Sequence, residues 1–396
     1  MRIVWINESA DFEGGAEGYV ARTATSLAKS GCTSILLHRA GTWVGPDFAE
    51  SFSACFPVVD LRAQLEDLKP DIVYLHQFYD RTLWSELLGL AESLSFPLVH
   101  FVHDHRLFCL RNHKYTALSE KTCTKTVARI ACYPCLGFVE RTRAVGALSP
   151  IRIRTVSSIR RDQALIRKFD AIVVGSNYMR AHVCAHGFPA GRVHHVPLGI
   201  RQPNEAKAER SRDVDRLLFV GALLRGKGLD ILLTALAGLP NRVRLDVVGE
   251  GAQRDAICAQ ITELGLDARV TLLGKLNAEK LSEKYRSVAA VVVPSRAPET
   301  FGFVGPEALL HGTPVIASPI GGTTEWLKPG ETAFSFEACD AMSLKRTLEN
   351  VLADPEAALN IARAGGEHCR KLFSEVGHVV ALKQLFSKLG EATGAV

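Results

Sequence analysis

The 396-residue sequence is narrowed first by what it lacks. No apolar run approaches the length of a membrane span. The longest, residues 288–294, has the length of a buried strand, whereas a transmembrane helix needs about 20 apolar residues. The opening stretch, MRIVWINESADFEGG, meets acids and glycines too soon for a secretory leader. The expected location is therefore the cytoplasm, with at most peripheral contact at the inner face of a membrane. No G-x-G-x-x-G follows either of the two strands expected to open a nucleotide-binding unit, which argues against NAD or FAD. The lone Asp-x-Asp, at Asp213 and Asp215, stands in a polar stretch with no buried strand before it. It is expected to be linker, not a metal–diphosphate clamp. Aromatics are sparse at 7% and are not interleaved with basic residues, so nucleic acid is not an expected partner.

What is present is the composition of a globular protein, with 47% apolar and 22% charged residues. The length calls for two domains, each able to bury its own core. The net charge of +5 is uneven: residues 106–168 carry +11 and the rest −6. An anionic partner near that segment, such as a membrane surface or a charged acceptor, competes with a merely solvated basic face. In the same segment, Ile151, Arg152, Ile153 and Arg154 and the helix-prone run to Lys168 suggest arginines on anionic lipid with isoleucines inserted.

Short apolar runs alternate with helical patterns throughout. Residues 3–6, 34–37, 72–75, 98–102 and 172–175 form one series of buried parallel strands, and residues 217–220, 243–248, 270–273, 290–293 and 315–317 form a second. This pattern predicts an α/β protein of two doubly wound, Rossmann-like domains facing a cleft. The polar stretch 201–215 marks the link between them. The expected boundaries are residues 1–200 and 205–375. Residues 376–396 form a last helix expected to return to the first domain.

The chemistry concentrates in residues 294–312, PSRAPETFGFVGPEALLHG. A strand ends, a loop carries Glu299, and Gly302 and Gly305 precede a short helix carrying Glu307. Backbone amides at a helix start attract anions, aided by about half a positive charge from the helix dipole. Ionised carboxylates accept hydrogen bonds from hydroxyl pairs. Phosphate flanked by polyol binders suits a nucleotide sugar, although an ordinary strand–loop–helix with a capping acid has the same pattern. A second loop, LFVGALLRGKGLD at residues 218–230, brings Arg225 and Lys227 to where cations would neutralise a departing diphosphate.

Glu299 and Glu307, with PET-FGF-x-x-x-E and the following HGTPVIAS, resemble the Glu-x7-Glu motif of the retaining glycosyltransferases of family 4, also called glycosyl transferases group 1. The resemblance implies a two-Rossmann-domain (GT-B) enzyme that is hexosyltransferase-like, with residues 1–200 as its acceptor-side domain and residues 205–375 as its nucleotide-sugar-binding domain. It would move a sugar from a nucleotide-diphosphate donor to a sugar or lipid-linked acceptor, as in surface-polysaccharide assembly. By the same resemblance, Glu299 holds the donor sugar hydroxyls, Glu307 the ribose, and the backbone of Phe301, Gly302 and Phe303 the sugar and diphosphate. Lys227 matches the family's lysine. Ala222 stands where an arginine is usual, with Arg225 as its nearest substitute. Gly249 and Gly274 with Lys275 match glycine turns around the nucleotide. Gly14 and Gly15 match a pair near the donor phosphate, and His103 matches a histidine beside the reacting carbon. Leaving-group charge is then met without a divalent cation, and no cofactor is required for catalysis. A nucleotide-sugar epimerase on the same architecture and a catalytically inactive binding protein are the rival readings.

Ten cysteines remain to be placed. Six are scattered (Cys32, Cys55, Cys184, Cys258, Cys339 and Cys369) and suit small core positions. Cys109, Cys123, Cys132 and Cys135 cluster in a long stretch without clear period, which needs something to order it. Four reduced thiols are one reading. A structural zinc with four sulfur ligands is the other.

Overall fold

All ten apolar runs fall on β-strands, to within a residue, in the computed structural model, which describes residues 1–116, 121–132, 135, 139–141, 151–203 and 212–393. The chain divides into two units. The first comprises Met1–Asn112, Lys125–Gly199 and Glu375–Val396, and the second comprises His113–Thr124 and Ile200–Ser374. Residues 113–124, expected in the first domain, thus pack with the second.

The first unit holds β1 (Arg2–Asn7), α1 (Gly15–Lys29), β2 (Thr33–His38), α2 (Pro46–Ala49), β3 (Ala54–Pro57), α3 (Leu61–Leu68), β4 (Ile72–Leu75), α4 (Arg81–Leu94) and β5 (Leu98–Phe101). It continues with α5 (Arg129–Cys132), an antiparallel pair of β6 (Val139–Arg141) and β7 (Ile151–Ile153), α6 (Val156–Ile166), β8 (Ala171–Val174), α7 (Asn177–Ala185) and β9 (Val193–His195). Its seven-stranded sheet runs β3-β2-β1-β4-β5-β8-β9, and every pairing is parallel. Helices cover the sheet because their apolar residues recur at helical spacing. In α4, Leu83, Leu87 and Leu90 are buried, and the Asp80 carboxylate caps the first turn by accepting from Thr82 N and Leu83 N.

The second unit repeats the plan with β10 (Asp213–Val220), α8 (Leu229–Ala237), β11 (Arg244–Val248), α9 (Arg254–Glu263), β12 (Val270–Gly274), α10 (Ala278–Ser287) and β13 (Val288–Val293). Then come α11 (Val304–Leu310), β14 (Val315–Ala317), β15 (Phe334–Ser335), α12 (Ala341–Ala353) and α13 (Pro355–Leu372). The sheet order β12-β11-β10-β13-β14-β15 is the first unit's order again, without its seventh strand. Each sheet has its own buried apolar core. Asp213 and Asp215 belong to β10, not to a linker: Arg216 and Arg242 take their carboxylates at 3.0 and 2.9 Å. In both sheets the order reverses beside the first strand, the place where doubly wound folds bind ligands at strand carboxyl ends.

The last helix, α14 (Glu375–Thr393), belongs to the first unit. His378 Nδ1 donates to Pro197 O at 2.7 Å and Nε2 accepts from the Tyr19 hydroxyl at 3.1 Å, while Leu382 and Phe386 are buried.

The stretch after β5 is ordered by Arg154. Its buried guanidinium donates to Arg106 O, Cys109 O, Leu110 O and the Asn112 side chain, and Gln163 Nε2 donates to Leu107 O. One cation therefore satisfies four oxygens of an irregular segment. This corrects the expectation that Arg154 lies on lipid. Ile159 and Ile166 likewise point into the interior, leaving Arg160, Arg161 and Lys168 exposed. Among the described residues no helix is long and apolar enough to cross a membrane.

Candidate functional site

In the second unit the carboxyl ends of β10 and β13 bring two loops together. Lys227 ends a short 3-10 turn, Arg225–Lys227, after β10, and Glu299 lies in the loop after β13. The Lys227 ammonium donates to both Glu299 oxygens, at 2.8 and 2.9 Å, and the Ser295 hydroxyl donates to Oε1 at 2.6 Å. The Glu299 side chain is only 13% exposed, against 36% for Lys227. Burial pushes the Glu299 carboxyl up, but Lys227 and Ser295 outweigh it and hold the group below the ordinary carboxylate value. The pair is therefore a fixed, ionised arrangement with its cation partly open to solvent.

The two loops are locked to each other. Arg296 N and Ala297 N both donate to Gly226 O at 3.0 Å. The buried Arg296 guanidinium donates to Arg225 O at 3.1 Å and to the Asp230 carboxylate at 2.8 Å. Gly228 has φ +71°, and a Cβ there would stand 1.9 Å from Pro294 O, so no other residue fits. Gly321 has φ +65° and backs onto Glu299, whose carbonyl accepts from Gly322 N at 2.7 Å. Residues 113–124 add a brace: Tyr115 lies over Gly226, and Thr122 Oγ1 donates to Arg296 O at 3.1 Å.

The remaining expected residues of this unit distribute around that centre. Phe301 is buried and its carbonyl accepts from Trp326 Nε1 at 2.9 Å, while Gly302 (φ +81°) and Phe303 lead into α11. Glu307 on α11 accepts from the Tyr285 hydroxyl at 3.2 Å. Gly249 and Gly274 stand in neighbouring turns at the ends of β11 and β12, joined by Gly249 N to Gly274 O at 2.8 Å, with Lys275 exposed beside them. Arg225 shares the turn with Lys227 but lines a hollow of about 80 Å³ with residues of α8 and α9, including Asp230 and Ile257.

The first unit presents a different kind of site. His103 follows β5, and its Nε2 lies 2.8 Å from Nδ1 of His76, which follows β4. His76 is buried and stacked on Trp5, with ring centroids 5.0 Å apart and planes 12° apart. Burial, with His100 nearby, pulls His103 down to about 3. Burial also pulls His100 down to about 4, although its hydrogen bond to Leu75 O opposes this. These rings are neutral imidazoles at neutral pH. Asp104 accepts from Arg106 N at 2.7 Å and from the Tyr79 hydroxyl at 3.1 Å, which orders the backbone after His103. Gly14 caps α1 in an extended conformation and meets nothing closer than 3.5 Å at a Cβ position. Gly14 and Gly15 are exposed, so a ligand has open approach to their backbone.

Sequence reasoning missed Ser295, Arg296 and Tyr285 beside the carboxylates, and His76 beside His103. Ser295 and Arg296 lie inside the motif already singled out, directly after its strand. His76 ends a buried strand in the same way as His103 does, and that position was the available signal.

No disulfide pairs any of the ten cysteines, and among the described residues no group of three or more His, Cys, Asp or Glu is placed to hold a metal ion. Cys123 belongs to the second unit, whereas Cys109, Cys132 and Cys135 belong to the first. Arg154 orders the part of this stretch that carries Cys109. Of the six scattered cysteines, Cys32 and Cys369 are buried and the other four are half-buried.

Comparison with known proteins gives the family. The profile described as Glycosyltransferase Family 4 matches residues 13–202, and the profile described as Glycosyl transferases group 1 matches residues 201–368. The chain belongs to glycosyltransferase family 4. The chain is 31% identical to D-inositol 3-phosphate glycosyltransferase 1 of Catenulispora acidiphila over 52% of its own length and 54% of the relative's. It thus spans about half the length of that relative. Glycogen synthase of Mycobacterium tuberculosis is similar over 96% of this chain and 92% of its own, at 27% identity. Among solved structures, Anabaena HepE in complex with UDP and glucose is similar at a TM-score of 0.74 and 18% identity, covering 98% of this chain and 100% of its own. Sucrose-phosphate synthase from Thermosynechococcus elongatus is similar at 0.73 and 23%, covering 99% and 100%. These likenesses place the two parallel-sheet units in the fold of such glycosyltransferases.

Proposed function

We propose that this glycosyltransferase takes a sugar from a nucleotide-diphosphate donor held on its second unit and transfers it with retention of anomeric configuration, without a divalent cation. The observation that carries the reading is the Lys227–Glu299 pair, fixed by Ser295 and by the Arg296 lock between two strand-end loops. A cation held at that point meets the charge that develops on a departing diphosphate. The Glu299 carboxylate, kept ionised, accepts from sugar hydroxyls, and Glu307 accepts from the ribose. The names of relatives and neighbours, among them one solved with UDP-glucose, support a nucleotide-sugar donor.

The chemistry is a substitution at the anomeric carbon. The bond to the diphosphate oxygen breaks, the bond to the acceptor oxygen forms on the same face, and the acceptor proton passes to the departing phosphate. His103 lies beside the sugar and orients it without forming a covalent bond. The acceptor is a sugar or a lipid-linked carrier in surface-polysaccharide assembly, approached from the first unit at the cytoplasmic face of a membrane. Arg160, Arg161 and Lys168, exposed on and just after α6, supply the attraction to an anionic surface.

Purified protein incubated with a panel of nucleotide sugars, scored for slow release of the nucleotide, tests the donor. Turnover of one or a few donors, undiminished in excess EDTA, is expected. A silent panel would defeat the reading. Sedimentation with anionic vesicles, weakening as salt rises, is expected from the basic surface, and equal binding to neutral vesicles would remove that surface from the account.

A further inference from the structure

His76 was not among the residues expected to act, yet its contacts constrain what His103 can do. Two neutral imidazoles joined by one hydrogen bond have two arrangements. In one, His76 Nδ1–H donates to His103 Nε2, and His103 carries its own proton on Nδ1. In the other, His103 Nε2–H donates to His76 Nδ1, and His76 carries its proton on Nε2.

The surroundings of His76 separate them. Its ring is fully buried between Trp5 and Phe101, whose centroids lie 5.0 and 5.9 Å away, and among the described residues its Nε2 meets no hydrogen-bond partner. The second arrangement would strand an N–H there. The first leaves only a bare lone pair, and orphaned buried donors are rarer than under-satisfied acceptors. Neither ring takes a second proton at neutral pH, since burial holds both far below the ordinary histidine value. His76 is also held in place, because its backbone N–H donates to Ile6 O at 2.8 Å.

We propose that His76 is a positioning residue that donates Nδ1–H to His103 Nε2, so that His103 keeps its proton on Nδ1 and presents an N–H donor to a hydroxyl oxygen of the bound sugar. The assignment rests on the proposed role of His103 beside the sugar. It makes His103 a hydrogen-bond donor at that carbon's neighbourhood and excludes it as a base through Nε2, whose lone pair is already engaged.

The test is long-range proton–nitrogen NMR of protein labelled with ¹⁵N-histidine, which separates a protonated ring nitrogen from a bare one. The His103 signals are assigned by their loss in His103→Gln. A protonated Nδ1 and a bare Nε2 on His103 are expected, and a proton on Nε2 would overturn the proposal. Turnover supplies the second readout. His76→Phe keeps the ring packing without the donor and should lower kcat by about tenfold with little change in donor KM, the rate equivalent of one hydrogen bond. His76→Asn places an amide N–H near the former Nδ1 and should stay within about twofold of the parent. Equal losses in both variants would reduce His76 to packing. The NMR result needs no substrate. Protein that turns over no nucleotide sugar would therefore fail the proposed function while leaving the ring assignment standing. Normal turnover by His103→Ala would instead remove the sugar contact, and the positioning role with it.

Discussion

The two units share a strand order yet hold their candidate residues in opposite electrostatic states. In the second unit, Glu299 is largely covered and stays charged, because Lys227 and Ser295 supply a counter-ion and a donor within 3 Å. In the first, His76, His100 and His378 are buried and His103 is half-buried; all four are neutral at neutral pH, with aromatic rings and each other for neighbours. One topology therefore supports a charged pair in one copy and an uncharged imidazole cluster in the other. The difference comes from the few residues at the strand ends and not from the sheets beneath them.

The sharpest way to break this comparison is to remove the charged pair. Lys227→Ala and Glu299→Ala should each lower turnover by about 10²–10³, the usual loss of a transition-state electrostatic contact. Far-UV circular dichroism should be unchanged, since both residues lie in loops. Near-normal turnover in either variant would dismiss the pair.

Acid should act on the two units differently. His100 and His378 are held down to about 4 and His103 to about 3, against the ordinary 6.5, so below that value the unfolded chain takes up protons that the folded unit refuses. The first unit should therefore keep its stability above about pH 6.5 and lose it progressively as the pH falls further. Glu299, held below 4.5, contributes stability that persists until the pH drops beneath that value. Hydrogen exchange at about pH 5, corrected for intrinsic rates, should show β4 and β5 opening before β13 and β14. The reverse order would contradict the neutral-histidine account.

A third experiment concerns what orders the segment after β5. Arg154→Met leaves four oxygens without their donor and should destabilise the first unit by about 2–4 kcal/mol, while nucleotide binding by the second unit persists. The smallest effect is expected from the cysteines. Cys132→Ser should barely move the melting temperature, and elemental analysis should find no stoichiometric zinc. About one zinc per chain would instead favour the four-sulfur site.

Most of the fold was legible because buried parallel strands write themselves as short apolar runs, and residues 72–75 or 290–293 admit no other reading in that alternation. The carboxylates were legible through the resemblance: Glu299 in its loop and Glu307 on α11 match the family's Glu-x7-Glu motif, whereas the residues alone also suit an ordinary strand–loop–helix. Three features were not. Residues 113–124 leave the unit that surrounds them in sequence, through contacts of Tyr115 and Thr122 that no local pattern encodes. Arg154 looked like one basic surface residue among many, because its oxygens come from residues more than 40 positions away. His76 needed a partner on the adjacent strand to gain meaning, and register between parallel strands is not written in either one alone.

Retention of configuration is the claim on which the donor site, the metal-free leaving group and the role of His103 all depend. Proton NMR of the transfer product, formed from a donor of known anomeric configuration in the presence of EDTA, measures it directly. The account predicts that the new glycosidic bond keeps the donor's configuration. An inverted product would contradict it.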